Sequence, residues 1–304
     1  MVRSDLHPIA SWVNAARPRT LPLAVASIVT GSLLAASDGI GRWATILLSL
    51  LTAIFLQILA NLANDYGDAI RGTDNDGRAG PTRMVQSGRI AAGRMKGGII
   101  LCSVLTLLSG SALLYVALGD RFPQNALFLI LGLAAIAAAV RYTVGAKAYG
   151  YKRLGDVVVF VFFGLIGVSG SWYLNTLRWN WDVLLPAAAV GLLSTGVLNL
   201  NNMRDMENDR ASGKRTLAGL LGYDGARVYQ LSLITVAFAL VFLFVDARSH
   251  NLGSFFFLLT LPLFARDLVA IFRTNAKENL DPFLKHLSFS SLLFSLCFGV
   301  GLLL

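Results

Sequence analysis

Nine uninterrupted apolar runs, at 21–36, 43–60, 98–119, 125–140, 157–177, 183–203, 228–245, 252–272 and 287–304, dominate this sequence. Each approaches the roughly 20 residues that a helix needs to cross the hydrocarbon core of a bilayer. No water is present there to satisfy backbone N–H and C=O groups, so runs of this length are read as helices. The chain is 55% hydrophobic and only 14% charged, more apolar than a soluble domain can conceal, and the excess must face lipid. The expected fold class is all-α, a polytopic membrane bundle of about nine transmembrane helices, with residues 1–304 forming a single domain.

The distribution of positive charge supports that count. Of 26 Lys and Arg residues, 22 lie in alternate connections, and only Arg42, Arg121, Arg178 and Arg248 lie in the others. An overlooked span would scramble this alternation. Cytoplasmic loops carry the Lys and Arg excess, which puts the N-terminus in the cytoplasm and the C-terminus outside. A pI of 9.9 and a net charge of +9 are explained by this asymmetry. No soluble basic domain is left to bind nucleic acid, and anionic lipid or an anionic substrate at the cytoplasmic face is the expected partner. Cys102 and Cys297 both fall within apolar runs and suggest neither a disulfide nor a metal site.

The outer connections are too short to hold a site, whereas 61–97 and 202–227 are long, polar and rich in Gly, Asp, Asn and Arg. The first begins Asn61-Leu62-Ala63-Asn64-Asp65-Tyr66-Gly67-Asp68. If the second helix continues through it, Asn61, Asp65 and Asp68 share one face at i, i+4 and i+7. The second cluster places Asn202, Asp205 and Asp209 at i, i+3 and i+7. Both clusters follow even-numbered spans, so they lie on the same side of the membrane. Asn61-Leu-Ala-Asn64 and Asn199-Leu-Asn-Asn202 also echo each other, a trace of duplicated helical units or a chance match.

Carboxylates gathered at a membrane boundary need a compensating cation. Mg²⁺ suits them, because it takes oxygen ligands and is commonly held by one or two carboxylates together with substrate phosphate oxygens. The candidate ligands are Asn61, Asn64, Asp65, Asp68, Asn202, Asp205 and Asp209, and Arg83, Arg141, Lys147, Lys152 and Lys214 are the candidate diphosphate-binding cations. Asp76, Glu207 and Asp224 are read as solvated loop acids. Tyr142, Tyr149 and Tyr151 suit either an interfacial belt or the wall of a cation pocket. A transporter moving cations past the acids is the reading from another class, but transporter sites lie near the bilayer midplane, and these acids sit at helix ends.

Asn64-Asp65-x-x-Asp68 after the second span and Asp205-x-x-x-Asp209 after the sixth, with Lys214 and Thr216 downstream, resemble the two signatures of the UbiA superfamily of intramembrane prenyltransferases. The last acid of the first signature would fall at Gly72, and Asp74 follows two residues later. Arg17-Pro18-Arg19-Thr20-Leu21-Pro22, Gly80-Pro81-x-Arg83 and Tyr142-Thr143-Val144-Gly145 look most like the branch that prenylates 1,4-dihydroxy-2-naphthoate. The resemblance implies a Mg²⁺-dependent enzyme of the bacterial plasma (inner) membrane with a cytoplasm-facing active site. It implies transfer of a polyprenyl group from its diphosphate to 1,4-dihydroxy-2-naphthoate, with loss of carbon dioxide, giving demethylmenaquinone. Asp65, Asp68, Asp205 and Asp209 then act catalytically through the metal, and Asn14, Arg17, Tyr142 and Tyr149 receive the acceptor. Another aromatic acceptor, or a phytyl donor, is the alternative within the superfamily.

Overall fold

The computed structural model describes residues 8–75, 79–248, 251–274 and 280–304; Asp76, read above as a solvated loop acid, lies outside them. Among the described residues nine helical segments are long and apolar enough to cross a membrane. They are α1 (Pro8–Ser37), α2 (Trp43–Ile70), α3 (Ala92–Leu118), α4 (Phe122–Arg141), α5 (Gly155–Thr176), α6 (Trp181–Arg204), α7 (Leu217–Arg248), α8 (Leu252–Arg273) and α9 (Asp281–Gly301). The all-α expectation holds, and the chain is a multi-pass integral membrane protein.

Most helices overrun their apolar stretches, because backbone hydrogen bonding continues into the polar boundary. The second run ends at residue 60, yet α2 extends to Ile70 and carries Asn61, Asn64, Asp65 and Asp68 on its last turns. Helix α1 is broken at Arg17, which takes a left-handed backbone conformation (φ 50°) between Pro8–Ala16 and Leu21–Ser37. A non-glycine residue held there costs on the order of 1–2 kcal/mol, a strain found at functional positions. Helix α5 contains a π-helical stretch, Phe160–Ile166.

The bundle has two unlike halves. Helices α7 to α9 close around aromatic side chains, with the Phe238 ring edge-on to Phe264 and Phe294 at centroid distances of 5.2 and 5.0 Å, and α6 packs against α7. Phe244, Phe257, Phe294 and Phe298 are almost wholly enclosed there. On the other side α2, α3, α4 and α5, together with one face each of α1 and α6, surround a cavity, and α4 contains no fully buried residue. Glycines allow the closest helix approaches. A methyl group at Gly164 of α5 would sit 2.6 Å from the Gly191 Cα of α6.

The ends of the bundle differ in charge. At one end lie the C-termini of α2 and α6 with both acid clusters. At the other, Arg42 donates to the Ala117 and Val116 carbonyls at 2.8 and 2.9 Å, satisfying the end of α3. Arg248 pairs with Asp38 at that end, and Asp38 also accepts from Trp172 Nε1 at 2.9 Å. The charge asymmetry predicts that a Cys placed at Ser212 reacts with an impermeant maleimide only when the reagent reaches the cytoplasm. A Cys at Asp120 or Asp182 should react in intact cells, and the reverse pattern would invert the orientation.

Candidate active site

Three residues on the end of α2, Asn61, Asn64 and Asp68, line the cavity at i, i+3 and i+7. Asp65 does not. Its two carboxylate oxygens accept the backbone N–H groups of Met84 and Val85, each at 3.0 Å, so it folds the 83–87 turn against α2. Those N–H groups have no helical partner, and a buried carboxylate between them satisfies both. The turn in its place holds Arg83 in the cavity wall.

The displaced acid of the first signature is explained by the end of α2. Gly72 takes φ +73°, and the N–H groups of Gly72 and Thr73 return to the carbonyls of Ala69 and Asp68 at 3.2 and 3.0 Å, a Schellman ending. The reversed chain brings Asp74 back to the cavity, buried, with Arg83 Nε 3.4 Å from its Oδ1. An acid two residues beyond the usual helical position thus reaches the same space.

The second cluster is arranged differently from a continuous helix. Helix α6 ends at Arg204 and a separate short helix, Met206–Ala211, follows. Asn201, Asp205 and Asp209 line the cavity, whereas Asn202 is buried behind it. Arg204 grips both oxygens of Asp205, at 2.9 and 2.7 Å, and also pairs with Asp281 at the start of α9. Thr216 caps α7, its hydroxyl accepting Gly219 N–H at 3.0 Å.

Lys214 joins the two clusters. Its Nζ lies 3.5 Å from Asp209 Oδ1 and 4.0 Å from Asp68 Oδ2, with all three side chains buried. Burial alone would lower the Lys214 pKa, but the Asp68 and Asp209 carboxylates outweigh it and raise it. Burial, reinforced by Asp205 and Asp68 and opposed by Lys214, pushes Asp209 up to about 6. Tyr151 Oη donates to Asp68 Oδ1 at 2.8 Å, and Asn208 Nδ2 donates to the Thr73 carbonyl at 2.7 Å, tying the loops together.

Other candidates are distributed unevenly. Arg17, Arg83, Lys214, Tyr142 and Tyr149 line the cavity, while Asn14, Arg141, Lys147 and Lys152 are exposed and do not. Lys152 contributes backbone instead, in a bridge to Arg215 beside the Arg153 N–H bond to the Arg215 carbonyl at 2.9 Å. Tyr142 stands edge-on to Tyr149, with centroids 5.4 Å apart. Burial pushes the Tyr142 phenol up to about 12 and raises Tyr149 as well. Gln57, Thr20 and Asn201 were not anticipated, although Gln57 sits one turn before Asn61. Gln57 Nε2 donates to Thr20 Oγ1 at 3.2 Å and Asn61 Nδ2 to the Ala16 carbonyl at 2.8 Å, pinning the Arg17 break against α2.

The donor set fits a hard divalent cation. Asn64 Oδ1 and Asp209 Oδ2, both on residues that line the cavity, are buried oxygens without a hydrogen-bond partner. No three acidic, His or Cys side chains among the described residues form a metal cluster by themselves. That is compatible with Mg²⁺, which commonly takes one or two carboxylates and completes its shell with phosphate oxygens and water. Behind this polar mouth the cavity, of about 390 Å³, continues between apolar walls that include Leu56, Phe128, Phe162 and Ile166.

Residues 24–296 match the UbiA prenyltransferase family. The chain belongs to that family. It is 44% identical to a 1,4-dihydroxy-2-naphthoate octaprenyltransferase of Haemophilus influenzae, over 96% of each protein. It is 42% identical to the Escherichia coli protein of the same name, over 100% of this chain and 98% of the relative. Among solved structures it resembles an apo UbiA homolog of Aeropyrum pernix K1, with a TM-score of 0.66 at 19% identity over 92% of this chain and 96% of that one. It also resembles a UbiA homolog of Archaeoglobus fulgidus bound to DMAPP and Mg²⁺, with a TM-score of 0.62 at 16% identity over 96% and 98%. These last two likenesses concern the fold.

The UbiA site predicts a definite response to loss of its central cation. Lys214→Met leaves Asp68 and Asp209 facing each other without compensation, and should cost about 3 kcal/mol of stability. Adding Asp68→Asn should return part of it, as read by thermal unfolding in detergent. Strictly additive losses would show that Lys214 does not hold the two clusters together.

Proposed function

We propose that this protein transfers a polyprenyl group from its diphosphate to 1,4-dihydroxy-2-naphthoate, releasing carbon dioxide, at the cytoplasmic face of the bacterial plasma membrane. All of residues 1–304 form one prenyltransferase domain in this reading. The observation that carries the chemistry is Lys214 between Asp68 and Asp209, which joins two acid motifs at the polar mouth of an apolar cavity. The names of the relatives at 44% and 42% identity support the acceptor. The neighbour bound to DMAPP and Mg²⁺ supports the donor class and the metal.

The diphosphate binds at the mouth, where Lys214 and Arg83 meet its oxygens. Asn64, Asp68, Asp205 and Asp209 would hold Mg²⁺, which neutralises charge on the departing diphosphate. Asp65 and Asn61 act through the shape of the site, holding the 83–87 turn and the Arg17 break. As the allylic C–O bond breaks, its electron pair leaves with the diphosphate and the prenyl carbon becomes cationic. The Tyr142 and Tyr149 ring faces attract that cation. Both phenols are protonated at neutral pH even at their ordinary pKa near 10, and burial raises them further, so neither offers a phenolate that would trap it.

The guanidinium of Arg17, fixed in the cavity wall, receives the acceptor carboxylate. The ring carbon bearing that carboxylate attacks the cation and forms the new C–C bond. Cleavage of the bond to the carboxylate then returns an electron pair to the ring as carbon dioxide departs. The product is the quinol, the reduced form of demethylmenaquinone.

Membranes containing the protein, given 1,4-dihydroxy-2-naphthoate and a polyprenyl diphosphate, should release one carbon dioxide per prenyl group transferred, and chelation of Mg²⁺ should stop turnover. Efficient prenylation of 4-hydroxybenzoate with its carboxyl retained, and the naphthoate ignored, would refute the acceptor. A separate comparison addresses the site. Asp68→Asn and Asp209→Asn should each lower kcat by about 100-fold or more, the scale of losing an electrostatic stabiliser of the transition state. Asp224→Asn, at a side chain that is 92% exposed, should stay within twofold of wild type. Wild-type rates in the first two variants would discard the mechanism.

A further inference from the structure

The wall that α5 presents to the cavity has an unusual period. The lining positions begin at Val158 and recur every four residues, at Phe162, Ile166, Gly170 and Leu174, each except the last accompanied by its following neighbour. An α-helix has about 3.6 residues per turn, so a spacing of four drifts by about 40° each time. From Val158 to Leu174 the drift would reach about 160°, and the far half of the stripe would face away from the cavity. It does not, because Phe160–Ile166 is π-helical. Gly167 N–H donates to the Phe162 carbonyl five residues back, and i→i+5 bonding places more residues in each turn.

The π segment is held from behind. Any side chain at Gly164 would collide with α6, its Cβ lying 2.5 Å from the Ala187 carbonyl and 2.6 Å from the Gly191 Cα. One face is therefore locked against α6 while Phe162 and Ile166 face the cavity. Along the stripe the side chains change from Val, Phe and Ile near the mouth to Gly167, Gly170 and Ser171 beyond it. A Cβ at Gly170 would find only the Phe128 ring, at 3.5 Å, so there is space beside Gly170, whereas Gly167 and Ser171 lie close to α1, a Cβ at Gly167 falling 3.0 Å from Ser27 Cβ and Ser171 Oγ lying 3.2 Å from Ser32 Oγ.

We propose that the π segment Phe160–Ile166 determines which donor lengths the protein uses, by keeping one stripe of α5 turned to the prenyl chain from the polar mouth to the far half of the cavity. The proximal units of the chain pass Phe162 and Ile166. The distal units lie against Gly167, Gly170 and Ser171, a wall that an unbroken α-helix would turn aside, presenting Ser169 and Tyr173 instead. This inference rests on the reading of the cavity as a prenyl diphosphate site.

Two measurements test it. The first compares kcat/KM for geranyl, geranylgeranyl and longer polyprenyl diphosphates in wild type and Gly170→Leu. The leucine should lower kcat/KM tenfold or more for donors of four or more isoprene units, and less than threefold for the geranyl donor. An equal loss for all donors overturns the proposal, whereas a wild-type protein that uses no donor at all refutes the functional reading beneath it. The second uses the unsubstituted protein, so a variant that fails to insert leaves the proposal testable. Geranylgeranyl diphosphate carrying a diazirine on its terminal isoprene unit should crosslink to Gly167, Gly170, Ser171 or Leu174. Adducts at Ser169 or Tyr173, or only on other helices, would overturn it.

Discussion

Everything at the polar end of this bundle depends on one buried ammonium. Asp68 and Asp209 come from helical ends separated by four transmembrane spans, and their mutual repulsion in a low-dielectric setting would drive those ends apart. Lys214 lies within 4.0 Å of both and makes their approach favourable. Burial pushes Lys214 and Asp209 towards their neutral forms, but each lowers that tendency in the other. The same arrangement leaves a concentrated charge pattern at the cavity mouth.

The two halves of the bundle divide mechanical and chemical tasks. Helices α7 to α9 pack through a cluster of phenylalanines, with α6 packed alongside α7, and large aromatic surfaces enclosed this way resist deformation. Their rigidity fixes Arg204, which is almost fully buried and holds both oxygens of Asp205 while reaching Asp281 on α9. The cavity half is formed by helices that leave a face open instead. Polar side chains hold it together where apolar packing is missing, as where Asn61 binds the carbonyl of Ala16. Asn199 makes the corresponding contact in the other half, donating to the Ala226 carbonyl at 3.0 Å.

Two sequence motifs separated by more than 70 residues prove to be one structural unit. A Cβ at Gly67 would lie 2.4 Å from Thr143 Oγ1, and that hydroxyl donates to the Ala63 carbonyl at 3.0 Å. Arg71 Nε donates to the Thr143 carbonyl at 3.1 Å and the same guanidinium reaches the Gly145 carbonyl. The glycine between Tyr66 and Asp68 is therefore needed so that the loop bearing Tyr142 can approach α2. This contact puts the aromatic wall beside the acids.

The sequence by itself determined the nine spans, the sorting of positive charge to one end, and the presence of both acid motifs at that end. Those properties follow from hydropathy, parity and spacing, which are local. Only the tertiary structure decided which side chains meet the cavity. Asn61, Asp65 and Asp68 have the spacing of one helical face, yet Asp65 is claimed by two backbone N–H groups of a turn nearly 20 residues away. Arg141, at the end of α4, and Lys147 and Lys152, beyond it, match the expected charge but are exposed, and Asp74 reaches the site through a turn that begins where α2 ends. The π register of α5 was equally hidden, because its apolar run suits any helix. Periodicity states which residues share a face, while the partner that face meets is set by hydrogen-bond competition and packing from segments distant in the chain.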